Sequence, residues 1–230
     1  MLSFTTRARN RTLAMTDSSS PRPQTPRPRH WLRARRQLRA ADPVMARIIA
    51  EASGDFLRPR DDPFYSLARS IVGQQISVKA AESVWQRLCT CAGAITPAAL
   101  AAAGEARLLG AGLSRQKVRY LLSLADHFAS GQMAVADWSR QDDETIIAQL
   151  VAVRGIGRWT AEMFLIFHLL RPDILPLSDL GVQRAMRRHY GNDQQLAFDA
   201  MEKIAEPWRP WRSVATWYLW RSLDKLPVDY

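Results

Sequence analysis

The sequence predicts an all-α fold, and three observations carry that reading. From Trp31 onward, apolar residues recur at spacings of three and four in segment after segment. Many segments open on residues that cap helices, and in three places the cap is followed by proline. No run alternates polar and apolar residues convincingly with period two, as a half-buried strand would. There is no internal repeat.

Taken in order, Trp31 begins the periodic part of the chain. Asp42-Pro43, Asp62-Pro63 and Thr96-Pro97 read as helix starts, because the side-chain oxygen accepts an orphan N–H and proline lacks one. Ser77 can cap "VKAAESVWQRL" and Ser114 can cap "RQKVRYLLSLADHF". Gly112, Gly131 and Gly191 punctuate helix ends. "DDETIIAQL" leads into a glycine turn and "RWTAEMFLIFHLL" leaves it, with the second helix expected to stop before Pro172. After "RPDILPLS" a helix starts near Leu180 and runs through "GVQRAMRRHY", and two more are expected at about 194–206 and 211–224.

Composition bounds the function. A chain of 230 residues, 47% hydrophobic and 23% charged, fits a soluble globular protein of one or two domains. No apolar run approaches the roughly 18 residues that a membrane span needs, so no membrane partner is expected. Cys89 and Cys91 are too few for a disulfide framework, suit a reducing compartment, and have a poor spacing for a metal. The net charge of +10 invites a nucleic-acid reading, but ten arginines and one acid in residues 1–41 account for +9 of it, leaving +1 for the remainder. Any DNA-binding face on the folded part must therefore come from local clustering. Residues 1–30, rich in Ser, Pro and Arg, are expected to form a disordered basic tail. Their Arg-rich, acid-poor start superficially resembles a transit peptide; a solvated tail, or an extension ahead of a true start at Met15, is the simpler reading.

Chemistry is suggested at two places. In "LVAVRGIGRWTAEMFLIF", Leu150 to Phe167, two apolar helices are joined by a turn holding Gly155 and Gly157. Glycines allow positive φ and close backbone approach, and the free N–H groups opening the second helix suit a phosphate oxygen. Ile156 would anchor the turn in the core, with Arg154 and Arg158 adding charge. The same pattern also fits a tight helix-turn-helix connection with no ligand. Asp179 lies twenty positions after Trp159, at the mouth of a helix. From local sequence it is an N-cap, a task Ser178 could share, or a functional carboxylate, and the two readings are compatible.

The pattern LxxVxGIGxWTA, the following "PLSD", the upstream "LARSIVGQQISVKAA" and the downstream "EPWRPWRSVATWYLW" together resemble the DNA-3-methyladenine glycosylase II family of helix-hairpin-helix DNA glycosylases, over about Asp42 to Leu226. The resemblance implies a two-lobed, all-α glycosylase fold without the amino-terminal β-domain of longer relatives. A central lobe, 64–179, would hold the helix-hairpin-helix at about 143–170; residues 31–63 and 180–230 would form the second lobe, with the active site in the cleft.

Asp179 then corresponds to the family's essential aspartate. Breaking an N-glycosidic bond makes the deoxyribose oxocarbenium-like, and a carboxylate beside it stabilises that charge and orients the attacking water. An N3- or N7-alkylated purine departs neutral, so a general acid matters less than in ordinary sugar hydrolysis. Hairpin amides would bind a phosphate, and the backbone carbonyls of Val151, Val153 and Ile156 would hold a monovalent cation, Na⁺ or K⁺. Trp159 and Trp220 match aromatic positions of the base pocket, where stacking and cation–π contact favour a cationic base. From sequence alone they read more readily as core, where tryptophans of apolar helices usually lie. Met163 and Leu180 join them where the best-known member has tyrosines. Gln74, Gln75 and Ser77 of "GQQIS" fall in the loop that enters the duplex, with Gln75 at the wedge position; a plain polar loop is the alternative. Arg184, Arg187 and Arg188 suit either the DNA backbone or a solvated face.

Bifunctional relatives carry a Schiff-base lysine where this chain has Trp159, and a four-cysteine cluster that has no counterpart after Cys91. The expected protein is thus a monofunctional hydrolase with no iron–sulfur cluster, monomeric, acting on double-stranded DNA with alkylated bases in a bacterial-type cytoplasm at the nucleoid. The competing readings are a glycosylase for uracil or mismatched adenine, and a non-catalytic damage-binding protein.

Overall fold

Local capping chemistry sets most of the helix starts. In the computed structural model, which describes residues 28, 30–52, 56–57, 62–133 and 135–223, the elements are α-helices with two short 3-10 helices and no strand among the described residues. Almost the whole of the expected tail, residues 1–27 and Arg29, lies outside the described residues.

The helices are α1 (Trp31–Ala41), α2 (Pro43–Glu51), α3 (Pro63–Gly73), α4 (Val78–Ala92), α5 (Pro97–Gly110), α6 (Arg115–Ala129), α7 (Asp143–Val151), α8 (Arg158–Phe167), α9 (Leu180–Tyr190), α10 (Phe198–Ala205) and α11 (Arg212–Leu223). Asp42, Asp62, Ser77, Thr96, Ser114, Asp142 and Asp179 each accept a first-turn backbone N–H, at Val44, Tyr65, Ala80, Ala99, Lys117, Thr145 and Val182 respectively. Such a cap contributes about 1 kcal/mol.

Three boundaries differ from the sequence expectation. Helix α8 stops at Phe167 instead of continuing towards Pro172, and Leu170 turns the chain with φ +52°. Helix α10 starts at Phe198, because Asn192 and Asp193 both take positive φ after Gly191. A 3-10 helix at Val135–Arg140, which no periodicity announces, buries Trp138 against Phe164.

Helices α3 to α8 pack among themselves, while α1, α2, α9, α10 and α11 form a second packed group from both ends of the chain. Asp42 ties that second group together. One of its oxygens caps α2, and the other accepts from the Tyr190 hydroxyl and the Trp208 indole, each at 2.8 Å. Each group has one helix buried over most of its length: α8 from Thr160 to Ile166, and α11 from Ser213 to Trp220. The chain passes from α8 to α9 through a braced segment. Asp173 accepts a two-nitrogen clasp from Arg212, the Ile174 N–H donates to the Ser213 hydroxyl, and Gln183 donates to the Leu177 carbonyl. Asp179 ends this segment, between the two groups.

Candidate active site

Asp179 is 5% exposed and fully engaged. Its Oδ1 accepts the Val182 N–H at 2.8 Å and the Trp220 indole N–H at 2.8 Å; its Oδ2 accepts the Trp159 indole N–H at 2.9 Å. The two tryptophans come from the two buried helices, α8 and α11, so the carboxylate is fixed by both halves of the fold. The positive end of α9 also favours a negative charge there. The N-cap reading of Asp179 holds, and it leaves the functional one open to the same carboxylate: one oxygen caps while two indoles fix the group.

Gly181 was not singled out from sequence, yet it permits this arrangement. A Cβ there would lie 2.9 Å from Trp220 Cδ1 and 3.0 Å from Asp179 Oδ1. The available signal was a glycine in the first turn of a helix, where its propensity is poor.

Trp159 is 36% exposed and forms one wall of a cavity of about 550 Å³, with Met163 one turn further along α8. The opposite walls come from α3, α4 and the loop between them. Trp220 and Leu180 stand apart from this cavity, contrary to the expected pocket. Trp220 is 4% exposed, stacked on Phe167 with centroids 5.5 Å apart, and acts on the carboxylate; Leu180 is 78% exposed, because as the first residue of α9 it points away from the buried Asp179. A larger cavity, about 650 Å³, lies on the Ser178 side. Its charged side chains are largely paired with one another, as Arg158 with Glu144 and Arg212 with Asp173. The Trp159 cavity, with two tryptophans and a methionine, is the better seat for a flat apolar face.

The hairpin places Gly155 in the left-handed region, φ +92°, where an added Cβ would fall on the ring of Tyr120. Gly155 thus serves turn shape and close packing. Gly157 opens on free space, and α8 begins without a side-chain cap, leaving its first N–H groups turned outward. Ile156 and Val153 are buried and Arg154 is exposed. Arg158 differs from the expected free cation: Glu144 holds it through two oxygens, at 2.9 and 2.5 Å, and Glu162 accepts its Nε at 3.0 Å. Glu162 is itself buried, and burial pushes its carboxyl above the usual range.

In the loop between α3 and α4, Gln74 turns inward and donates to the Gly155 carbonyl at 2.9 Å, and Ser77 caps α4. Ser77 stays exposed while it caps α4, and beside it Gln75 projects. It is exposed and sits at φ +58°, a strained conformation for a residue with a side chain. Lys117 donates to the Val72 carbonyl at 2.6 Å just before this loop, and so fixes its root.

Residues 68–210 match the family described as HhH-GPD superfamily base excision DNA repair protein. The DNA-3-methyladenine glycosylase 1 of Schizosaccharomyces pombe is 31% identical over 175 residues, 74% of this chain and 76% of its own. A crystal structure of a DNA-3-methyladenine glycosidase from Bacillus halodurans superposes with TM-score 0.78 at 33% identity, covering 82% of this chain and 88% of that one. The S. pombe 3-methyladenine DNA glycosylase Mag1, solved with abasic DNA, gives TM-score 0.70 at 28% identity, covering 86% and 98%. With YfjP of Bacillus subtilis the match spans only 39% of that relative's length.

Proposed function

The chain belongs to the HhH-GPD superfamily of base excision DNA repair proteins, and within it to the 3-methyladenine glycosylases, and we propose that it is a monofunctional, monomeric glycosylase that flips and hydrolytically removes alkylated purines from duplex DNA. The observation that carries this is the shared tryptophan: Trp159 bonds the buried Asp179 through its ring nitrogen while also forming a wall of the cavity.

A nucleotide whose sugar sits at Asp179 would lay its base against Trp159 and Met163. The carboxylate stabilises the oxocarbenium-like sugar and orients water at its C1′. Three donors fix it in place, so little reorganisation is needed as charge develops. The aromatic wall attracts the delocalised positive charge of a 3-methyladenine or 7-methylguanine. Gln75 would fill the space left by the flipped nucleotide, and the uncapped start of α8 would hold a backbone phosphate. The carbonyls of Val151, Val153 and Ile156 suit a monovalent cation. Those of Val151 and Ile156 accept no backbone hydrogen bond among the described residues, and that of Val153 accepts only the Ile156 N–H at 3.1 Å. Such an ion would add positive charge beside the phosphate.

Trp159 occupies the position a Schiff-base nucleophile would need, and the Lys117 ammonium is spent on Val72. Duplexes carrying 3-methyladenine, 7-methylguanine, uracil or adenine opposite guanine test the assignment. The alkylated purines should be released, leaving an intact abasic strand and no borohydride-trapped adduct. Preferred release of uracil or mispaired adenine would reassign the substrate, and a trapped covalent complex would show a lyase.

A further inference from the structure

The cavity beside Trp159 contains one feature that base stacking does not use. Among its lining residues only Arg69, from α3, and Glu82, from α4, are charged. They face each other across the wall, with Arg69 Nη2 2.7 Å from Glu82 Oε2. Both ends of the pair are held. The Arg69 guanidinium lies over the Trp85 ring, 5.4 Å from its centroid. Trp85 in turn donates its indole N–H to the Tyr65 hydroxyl at 3.1 Å and packs edge-on against that ring. On the other side Gln86 donates to Glu82 Oε1 at 2.6 Å. Bonds from Gln86 and Arg69 hold the Glu82 carboxyl below its usual range, so it is an anion at neutral pH.

Folding does not explain this pair. The two side chains are 39% and 45% exposed, and a half-exposed ion pair adds little stability. In a cavity that receives bases of different charge, however, a fixed cation and a fixed anion on one wall have opposite effects. The anion attracts an N-alkylated purine, which is a cation. The guanidinium repels it, and offers N–H donors to the O6 and N7 acceptors of a neutral damaged purine such as hypoxanthine. Paired, they nearly cancel.

We propose that the Arg69–Glu82 pair holds the base cavity near charge balance, so that the enzyme does not sort cationic from neutral damaged bases by charge. This rests on the reading that the flipped base enters the Trp159 cavity. Removing either charge unmasks the other, so the two single variants must shift selectivity in opposite directions. Damage to the fold would lower both activities together instead.

The test is single-turnover excision from duplexes carrying one 7-methylguanine or one hypoxanthine, with wild type, Arg69→Gln, Glu82→Gln and the double variant. The ratio of 7-methylguanine to hypoxanthine rate should rise about threefold or more in Arg69→Gln and fall about as much in Glu82→Gln. In the double variant it should return to within about twofold of wild type. A ratio constant across all four proteins, or one that moves the same way in both single variants, overturns the charge balance and leaves Arg69 as a backbone contact or packing group. Asp179→Asn is run alongside. If it excises both bases as wild type does, or if wild type excises neither, the glycosylase reading itself has failed, and the charge balance with it.

Discussion

Asp179 combines two tasks that would compete in a smaller side chain. Its Oδ1 caps α9 and receives Trp220, while Oδ2 receives Trp159, so the carboxylate has little freedom to rotate. The aspartate was legible in the sequence, because cap chemistry and the motif around it are local. The partnership with Trp220 was not, since it spans 41 positions and depends on how α11 packs. Sequence gives Trp220 as a pocket wall, and only the fold shows its indole as the carboxylate's second anchor. Gly181 tests this positioning. Gly181→Ala should lower the melting temperature, because the added methyl meets the buried Trp220 ring and the capping oxygen of Asp179, and such overpacking costs about 1–3 kcal/mol. By pushing Trp220 and Asp179 apart it should also lower single-turnover excision by the folded protein by about tenfold or more. Wild-type excision in a folded Gly181→Ala protein would show that the indole–carboxylate geometry is not needed.

At the scale of elements, α8 differs from its neighbours. The helices on either side of it, α7 and α9, begin on a side chain that satisfies a first-turn N–H, whereas α8 begins on Gly157 with none, as α1 and α10 also begin uncapped. The cap-plus-proline starts were readable directly, since both residues act within one turn. The end of α8 and the 3-10 helix around Trp138 were not, because tertiary contacts set them: Trp138 packs on Phe164 and donates to Gln149 at 2.9 Å. Arg158 shows the same limit. Sequence placed a cation beside the glycine turn, but only the fold shows Glu144 and Glu162 holding it. Glu144→Gln should release one side of that clasp. Duplex affinity at low salt should then rise a few-fold, with the slope of log K against log salt steeper by up to about one unit, as expected for one more phosphate contact. Unchanged affinity would mean that Arg158 serves only to tie α8 to α7.

Across the whole molecule, the two packed groups of helices share one core, and Asp179 lies where Phe167 of α8 stacks on Trp220 of α11. The chain leaves the central group after α8 and reaches Asp179 through a segment braced by Arg212, Ser213 and Gln183. The return of the amino-terminal helices to α9 and to the 3-10 turn ahead of α11, through Asp42, completes the second group. This closure was visible only by resemblance, because no local pattern says that residue 42 meets residues 190 and 208. The net charge, by contrast, was legible and uninformative about the site, since nearly all of it belongs to residues 1–41. The proposed reaction turns on the charge of Asp179. Asp179→Asn keeps the size and most of the hydrogen-bonding geometry but removes the negative charge that the sugar needs in the transition state. The decisive measurement is single-turnover release of 7-methylguanine by this variant, beside its affinity for the same duplex. Affinity should stay within a few-fold of wild type, and excision should fall by at least about a hundredfold. Excision near the wild-type rate, with binding intact, would contradict the proposed reaction.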